Sequence, residues 1–239
     1  ARFQALGAPN VRVAGNLKYD APAPPVDAAR LAAVAADIGQ RPVWAAVSTH
    51  PDEETAILDA HSILTQRLPN LLTLIAPRHP ERGAPIAERA RARGLNVARQ
   101  SQDGAPTQDV KIYVADTLGE VGVIFRSASV VFMGKSLAAP GGGQNPIEPA
   151  QCGCAVLHGP HVGNFAEVYA TLDADKGAVQ INDAAALARA VQFLLTDPAT
   201  LRRMGRAAAT SVEKLGGAAR ETIAAVAPLL AQHRALERR

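Results

Sequence analysis

The chain has 239 residues, of which 48% are hydrophobic and 20% charged, and its formal charge is +3 at pH 7. That is the composition of a globular protein, long enough for one large α/β domain with extensions. Aromatic residues make up only 4% and the arginines are scattered, which argues against single-strand nucleic-acid binding by base stacking, and no nucleic-acid partner is expected.

The first 25 residues read as a linker and entry segment. Val11-Arg12-Val13 suggests a short strand, GNLKYD (Gly15–Asp20) follows, and APAPP (Ala21–Pro25) stiffens the chain. The opening ARFQALG has no initiator Met. The chain is therefore read as part of a longer protein with a further domain upstream. Residues 26–216 are expected to form the main domain, and 217–239 a C-terminal helix that crosses back toward the absent domain.

From residue 42 on, short apolar runs alternate with helical patterns. Strands are expected at Pro42–Val47, Leu71–Ala76, Val97–Gln100, Val110–Val114, Ser129–Met133, Ala155–His158 and Ala178–Ile181. Helices are expected at Asp52–Leu68, Ile86–Arg93, Leu118–Ser127, Pro146–Gly153 and Phe165–Leu172, then at Ala184–Leu195, Ala199–Leu215 and Ala218–Leu230. This alternation predicts βαβ units in a Rossmann-like, doubly wound parallel sheet of six or seven strands, buried on both faces. Ligands of such sheets bind at the carboxyl ends of the strands.

The loops at those ends carry the candidate site. GGGQNPIEP (Gly141–Pro149) is the most informative. Glycines at 142 and 143 let backbone N–H groups approach an oxyanion. Asn145 can cap the helix that follows, whose N-terminus would favour phosphate. Glu148 could accept from ribose hydroxyls, or could simply be solvated on a capped helix. Arg78 and His79 follow the second strand, and arginine suits phosphate and base stacking. Ser48 and Thr49 precede Asp52-Glu53-Glu54 and read first as a helix start, with Ser or Thr as cap. Thr117 likewise reads as a cap in ADTLGE, with Leu118 as a possible wall of a base pocket. His61 is a surface or packing residue. Cys152 and Cys154 are too close to bridge without strain and too few for structural zinc, so they read as small buried residues in a reducing compartment. No metal or cofactor is expected. No apolar run approaches the roughly 20 residues of a membrane span.

Taken in order, GNLKYD, RPVWAAVSTHPDEE, APRHPER, VADTLGE, GKSL, GGGQNPIEP, GPHVGNFAEV and DPATLRRMG resemble the C-terminal half of the 3-deoxy-D-manno-octulosonate (Kdo) transferases, glycosyltransferases of GT-B architecture. The resemblance implies a donor-binding half that holds CMP-Kdo for an inverting, metal-free transfer to lipid A precursor. It makes Arg78 and His79 nucleotide or phosphate contacts and puts Leu118 and Gly119 beside the base. Asn145 and Glu148 would hold phosphate and ribose, with Gly142, Gly143, Gln144, Ser48 and Thr49 near the phosphate. The catalytic residues are unknown here, because the family's general base and the acceptor site belong to the N-terminal half. The parent protein would sit on the cytoplasmic face of the bacterial inner membrane. The chain departs from the family at Lys135, where a second glycine is usual, and at Gln144, where histidine is usual. A GT-B transferase or epimerase using a UDP-sugar, and a non-catalytic nucleotide-binding module, stand as alternatives.

Overall fold

A computed structural model describes residues Arg2–Glu237, with side chains to Leu230. In chain order the elements are α1 (Arg2–Ala5), α2 (Ala28–Ile38), β1 (Val43–Thr49), α3 (Pro51–Thr65), β2 (Leu72–Pro77), α4 (Gly83–Arg91), β3 (Val97–Arg99), α5 (Gln100–Asp103), β4 (Ile112–Val114) and α6 (Val121–Ser127). They continue with β5 (Val130–Met133), α7 (Ile147–Gln151), β6 (Ala155–His158), α8 (Ala166–Ala174), β7 (Ala178–Gln180), α9 (Ala184–Thr196), α10 (Pro198–Leu215) and α11 (Ala218–Glu237). Among the described residues no helix is long and apolar enough to cross a membrane.

The seven strands form one sheet in the order β3-β4-β2-β1-β5-β6-β7, and every pairing is parallel. This is the doubly wound α/β fold that strand–helix alternation requires. Alternation along each strand fixes its two faces. Trp44, Ala46, Ile75, Ile112, Phe132 and Leu157 share one core with Ile57 and Leu58 of α3, Ile86 of α4 and Leu187 and Val191 of α9. Ala45, Val47, Leu72 and Leu74 point the other way and are equally buried. They are covered by α6, which packs on β1 and β2, and by α2, which packs on α6.

The described residues divide into two compact units. The larger is Ala23–Val212 and holds the whole sheet. The smaller combines the residues up to Pro22 with those from Glu213 onward. Within it the GNLKYD segment forms a single 3-10 turn, Leu17–Asp20, with Asn16 Oδ1 accepting from the Lys18 N–H at 3.1 Å. The Asp20 carboxylate accepts from the backbone N–H groups of Gly217 and Ala219, so it caps the start of α11.

Several local expectations change. Val11–Val13 is not a strand; Val13 is almost fully exposed and has no partner strand. The helix after β1 starts at Pro51 with His50 as its N-cap, not Ser48 or Thr49, because β1 continues through Thr49. The helix expected from Leu118 starts at Val121, behind Glu120, and Thr117 caps nothing. The helix after Pro146 is limited to Ile147–Gln151.

Candidate functional site

The chain order reverses at β1 and β5, which are neighbours in the sheet although β2 to β4 intervene in sequence. Loops leaving such a pair diverge and open a crevice. Each carboxyl end has a residue in the left-handed region, Ser48 at φ 56° near the end of β1 and Lys135 at φ 57° just after β5. A β-bulge between Val47 and Thr49 accompanies the first.

Glu53 holds the two loops together. It is 1% exposed. Its Oε1 accepts from the N–H of His50 at 3.1 Å and of Lys135 at 2.5 Å; its Oε2 accepts from the N–H of Ser136 and Leu137, each at 3.3 Å. Burial raises its pKa, and the four donors oppose that shift. Sequence reasoning treated Glu53 as one first-turn acid among three, and no local signal marks its partners more than eighty residues away. Next to it, the fully buried Glu54 takes a bidentate bond from Arg82, at 3.2 and 2.6 Å, and so fixes the turn after Arg78 and His79. A third tie is the Ser136 hydroxyl, which donates to Met133 O at 2.6 Å and accepts from Gly159 N–H at 2.8 Å.

Beside this frame lies a cavity of about 110 Å³ lined by Ser48, Pro77, Arg78, Thr117, Leu118, Gly119 and Glu120, among others. The Arg78 backbone is pinned by its N–H to Thr49 O at 3.0 Å. Its exposed guanidinium has no hydrogen-bond or ion-pair partner among the described residues. Leu118 is 83% exposed at the cavity edge, and Gly119 takes φ 87°, which a side chain would resist. The Thr117 hydroxyl is buried without a partner. Ser48, Arg78, Leu118 and Gly119 are thus brought together, and Thr117 and Glu120 join them although they were not read as site residues. Thr49 does not join: it is fully buried in β1, with its hydroxyl unpaired.

The glycine loop is built differently from its sequence reading. The N–H groups of Gly142, Gly143 and Gln144 are taken by the carbonyls of His161, Lys135 and Gly134, at 3.1, 2.7 and 3.1 Å. These donors tie the loop to its neighbours instead of standing open to an anion. The glycines serve close packing: a Cβ on Gly141 would collide with His161, and one on Gly142 with Asn164. The N-cap of α7 is Pro146 rather than Asn145, but one residue earlier Asn145 Oδ1 accepts from Ile147 N–H at 3.1 Å, while its Nδ2 donates to Glu148 Oε1 at 3.0 Å. Tyr169, buried against His158, donates to Gln144 O at 2.8 Å and holds the loop from behind.

A second cavity of about 110 Å³ lies on the other side of the β1 loop, lined by His50, Asp52, Glu53, Lys135, Ala138, Pro140 and Gly141. Gln144 Nε2 donates to His50 Nε2 at 3.1 Å, which requires that nitrogen to be an unprotonated acceptor. Burial lowers the His50 pKa, with Lys135, His79 and Arg78 adding to the effect and Asp52 opposing it. His79 is exposed and meets the His50 ring edge-on, centroids 5.9 Å apart.

Other polar residues are accounted for by packing. His61 is buried, with Nδ1 2.8 Å from Thr73 Oγ1. Cys154 is buried and donates to Phe125 O, while Cys152 is half-buried; both are free thiols. Asp116 is buried under bonds from Arg99 and Ser101. No group of three or more His, Cys, Asp or Glu among the described residues could hold a metal.

A doubly wound parallel sheet with polar loops gathered at its switch point defines the class: this is a Rossmann-like domain of the kind that forms the C-terminal halves of GT-B glycosyltransferases. No family model matches the chain. Its sequence is 33% identical over 210 residues to a 3-deoxy-D-manno-octulosonic acid transferase of Haemophilus influenzae, covering 86% of this chain and 49% of that protein. It is 35% identical over 231 residues to the transferase of the same name from Bordetella pertussis, covering 95% and 53%. The crystal structure of the C-terminal CMP-Kdo binding domain of WaaA from Acinetobacter baumannii superposes with a TM-score of 0.72 at 26% identity, over 78% of this chain and 99% of that domain. Anabaena HepE, solved with UDP and glucose, shares the fold alone, at a TM-score of 0.58 and 12% identity, over 85% of this chain and 52% of that one. The chain is thus similar in sequence to these Kdo transferases and in fold to the C-terminal domain of WaaA. It spans about half the length of the curated relatives it matches.

Proposed function

We propose that this chain binds the CMP-Kdo donor for a Kdo transferase that acts on lipid A precursor with inversion. The observation that carries this reading is the exposed, unpartnered Arg78, which lines a cavity with Ser48, Leu118 and Gly119 at the β1/β5 switch of a domain similar in sequence to Kdo transferases. In it Arg78 attracts the phosphate. Leu118 covers one face of the base, and the hydroxyls of Ser48 and Thr117 donate to the ligand. The Asn145–Glu148 pair offers an amide and a carboxylate to phosphate and ribose, within reach of Gly142, Gly143 and Gln144, and His79 flanks the phosphate. The general base and the acceptor site belong to the N-terminal half of the parent enzyme, which works at the cytoplasmic face of the inner membrane. Residues 1–25 lead in from that half, 26–216 bind the donor, and 217–239 return toward it.

The test is nucleotide selectivity. CMP is expected to bind the purified chain with saturable one-site heat, and UMP and UDP much more weakly. Preference for UDP would replace this reading with that of a UDP-sugar enzyme. Kdo transfer by this chain alone would contradict the division of labour.

A further inference from the structure

The cavity between His50 and Lys135 is about as large as the one beside Arg78, about 110 Å³, and differs from it in its lining. Its charges can be enumerated. Glu53 lines it, but both of its oxygens are occupied by backbone N–H groups. Asp52 is an exposed residue at its rim. His50 is held as a neutral acceptor by Gln144. Lys135 is the cation that lines it, and no carboxylate among the described residues lies within ion-pair distance of its ammonium.

The backbone of Lys135 is fixed on both sides. Its N–H donates to Glu53 and its carbonyl accepts from Gly143 N–H at 2.7 Å. It is held at φ 57°, where glycine would sit without strain. A lysine that served only solubility would not need that position. The two cavities are also neighbours. Ser48 lines the Arg78 cavity and His50 lines the Lys135 cavity, two residues apart on one loop.

A CMP-activated ulosonic acid presents two anions on one anomeric carbon, the phosphate and a carboxylate. We infer that Lys135 and the cavity it shares with His50 form a second anion subsite, which takes the donor's carboxylate while Arg78 takes its phosphate. The inference rests on the CMP-Kdo reading and adds to it a determinant for the ulosonic acid itself. Gln144 then acts as a positioning residue, keeping His50 neutral and oriented.

The experiment is calorimetric titration of the chain with CMP and with freshly prepared CMP-Kdo, for the wild type, Lys135→Gly and Lys135→Arg. Glycine suits φ 57°, so the first variant keeps the loop while removing the charge; equal melting temperatures or a higher one confirm that it is folded. The wild type is expected to bind CMP-Kdo more tightly than CMP. Lys135→Gly should lose about tenfold or more for CMP-Kdo and less than about twofold for CMP, and Lys135→Arg should retain most of the difference. Equal losses on both ligands would put Lys135 on the phosphate and overturn the inference. No loss on either would overturn it too. A wild-type chain that binds neither ligand would sink the nucleotide reading and the subsite together, whereas CMP binding without a CMP-Kdo advantage would sink the subsite alone.

Discussion

Glu53→Gln tests the frame on which the site is built. The carboxylate receives four backbone N–H donors, two on each oxygen. Glutamine keeps the shape but offers only one oxygen. The Oε1 bonds are shorter than those of Oε2, so the amide oxygen should stay with His50 and Lys135 and the NH2 should face Ser136 and Leu137. Two buried donors then lose their acceptor and meet a third donor. At about 1–3 kcal/mol for each unsatisfied buried group, the loss is roughly 2–6 kcal/mol. For a chain of this size that lowers the melting temperature by roughly 5–20 °C. Differential scanning calorimetry at neutral pH measures it directly, and CMP affinity should fall as the Lys135–Leu137 turn loosens. The competing possibility is that burial keeps Glu53 protonated, in which case glutamine is a close mimic. A melting temperature within about 2 °C of wild type would establish that and refute the anionic cage.

The buried His61 should make stability depend on pH. Burial lowers its pKa from the ordinary 6.5 to about 4, so the unfolded chain takes up the proton first. Its contribution is complete above pH 6.5 and is lost as pH falls toward 4, by about 3 kcal/mol in all; denaturant titrations of wild type and His61→Gln should differ in slope over that window, and equal slopes would contradict the assignment. Asp20 titrates with the same sense by another cause, since the N–H groups of Gly217 and Ala219 hold its pKa below the ordinary carboxylate value. Its cap on α11 should persist above that range and fail below it, and Asp20→Ala should speed amide exchange in the first turns of α11 at neutral pH; unchanged exchange would deny the cap. Glu148→Gln should weaken CMP binding by up to about a hundredfold if the carboxylate receives the ribose hydroxyls, and unchanged affinity in a calorimetric titration would remove it from the site.

Most of the sheet could be read from the chain because parallel strands buried on both faces appear as short continuous apolar runs, as in PVWAAV and SVVFM. Val11-Arg12-Val13 has the same β-branched character, but nothing pairs with it, and strand formation depends on a neighbour. Helix starts were misplaced where tertiary context overrode capping chemistry. Thr49 remains in β1, Ser48 is in a left-handed bulge, and the cap falls to His50. The site was legible in its residue types more than in its wiring. Arg78, Leu118 and Gly119 share a cavity as their loops suggest. The glycine loop, however, spends its N–H groups on carbonyls that no local pattern could announce, and Glu53 acts through partners in a loop far along the chain.

In the proposed function Arg78 attracts the CMP phosphate. The direct measurement is calorimetric titration of CMP into the wild-type chain and Arg78→Ala across a range of salt concentrations. A hydrogen-bonded charge contact contributes about 1.5–3 kcal/mol, so the variant should bind roughly 10- to 100-fold more weakly. Its affinity should also depend less on salt, because a screened charge contact has been removed. Equal affinity and equal salt dependence in the two proteins would contradict the account.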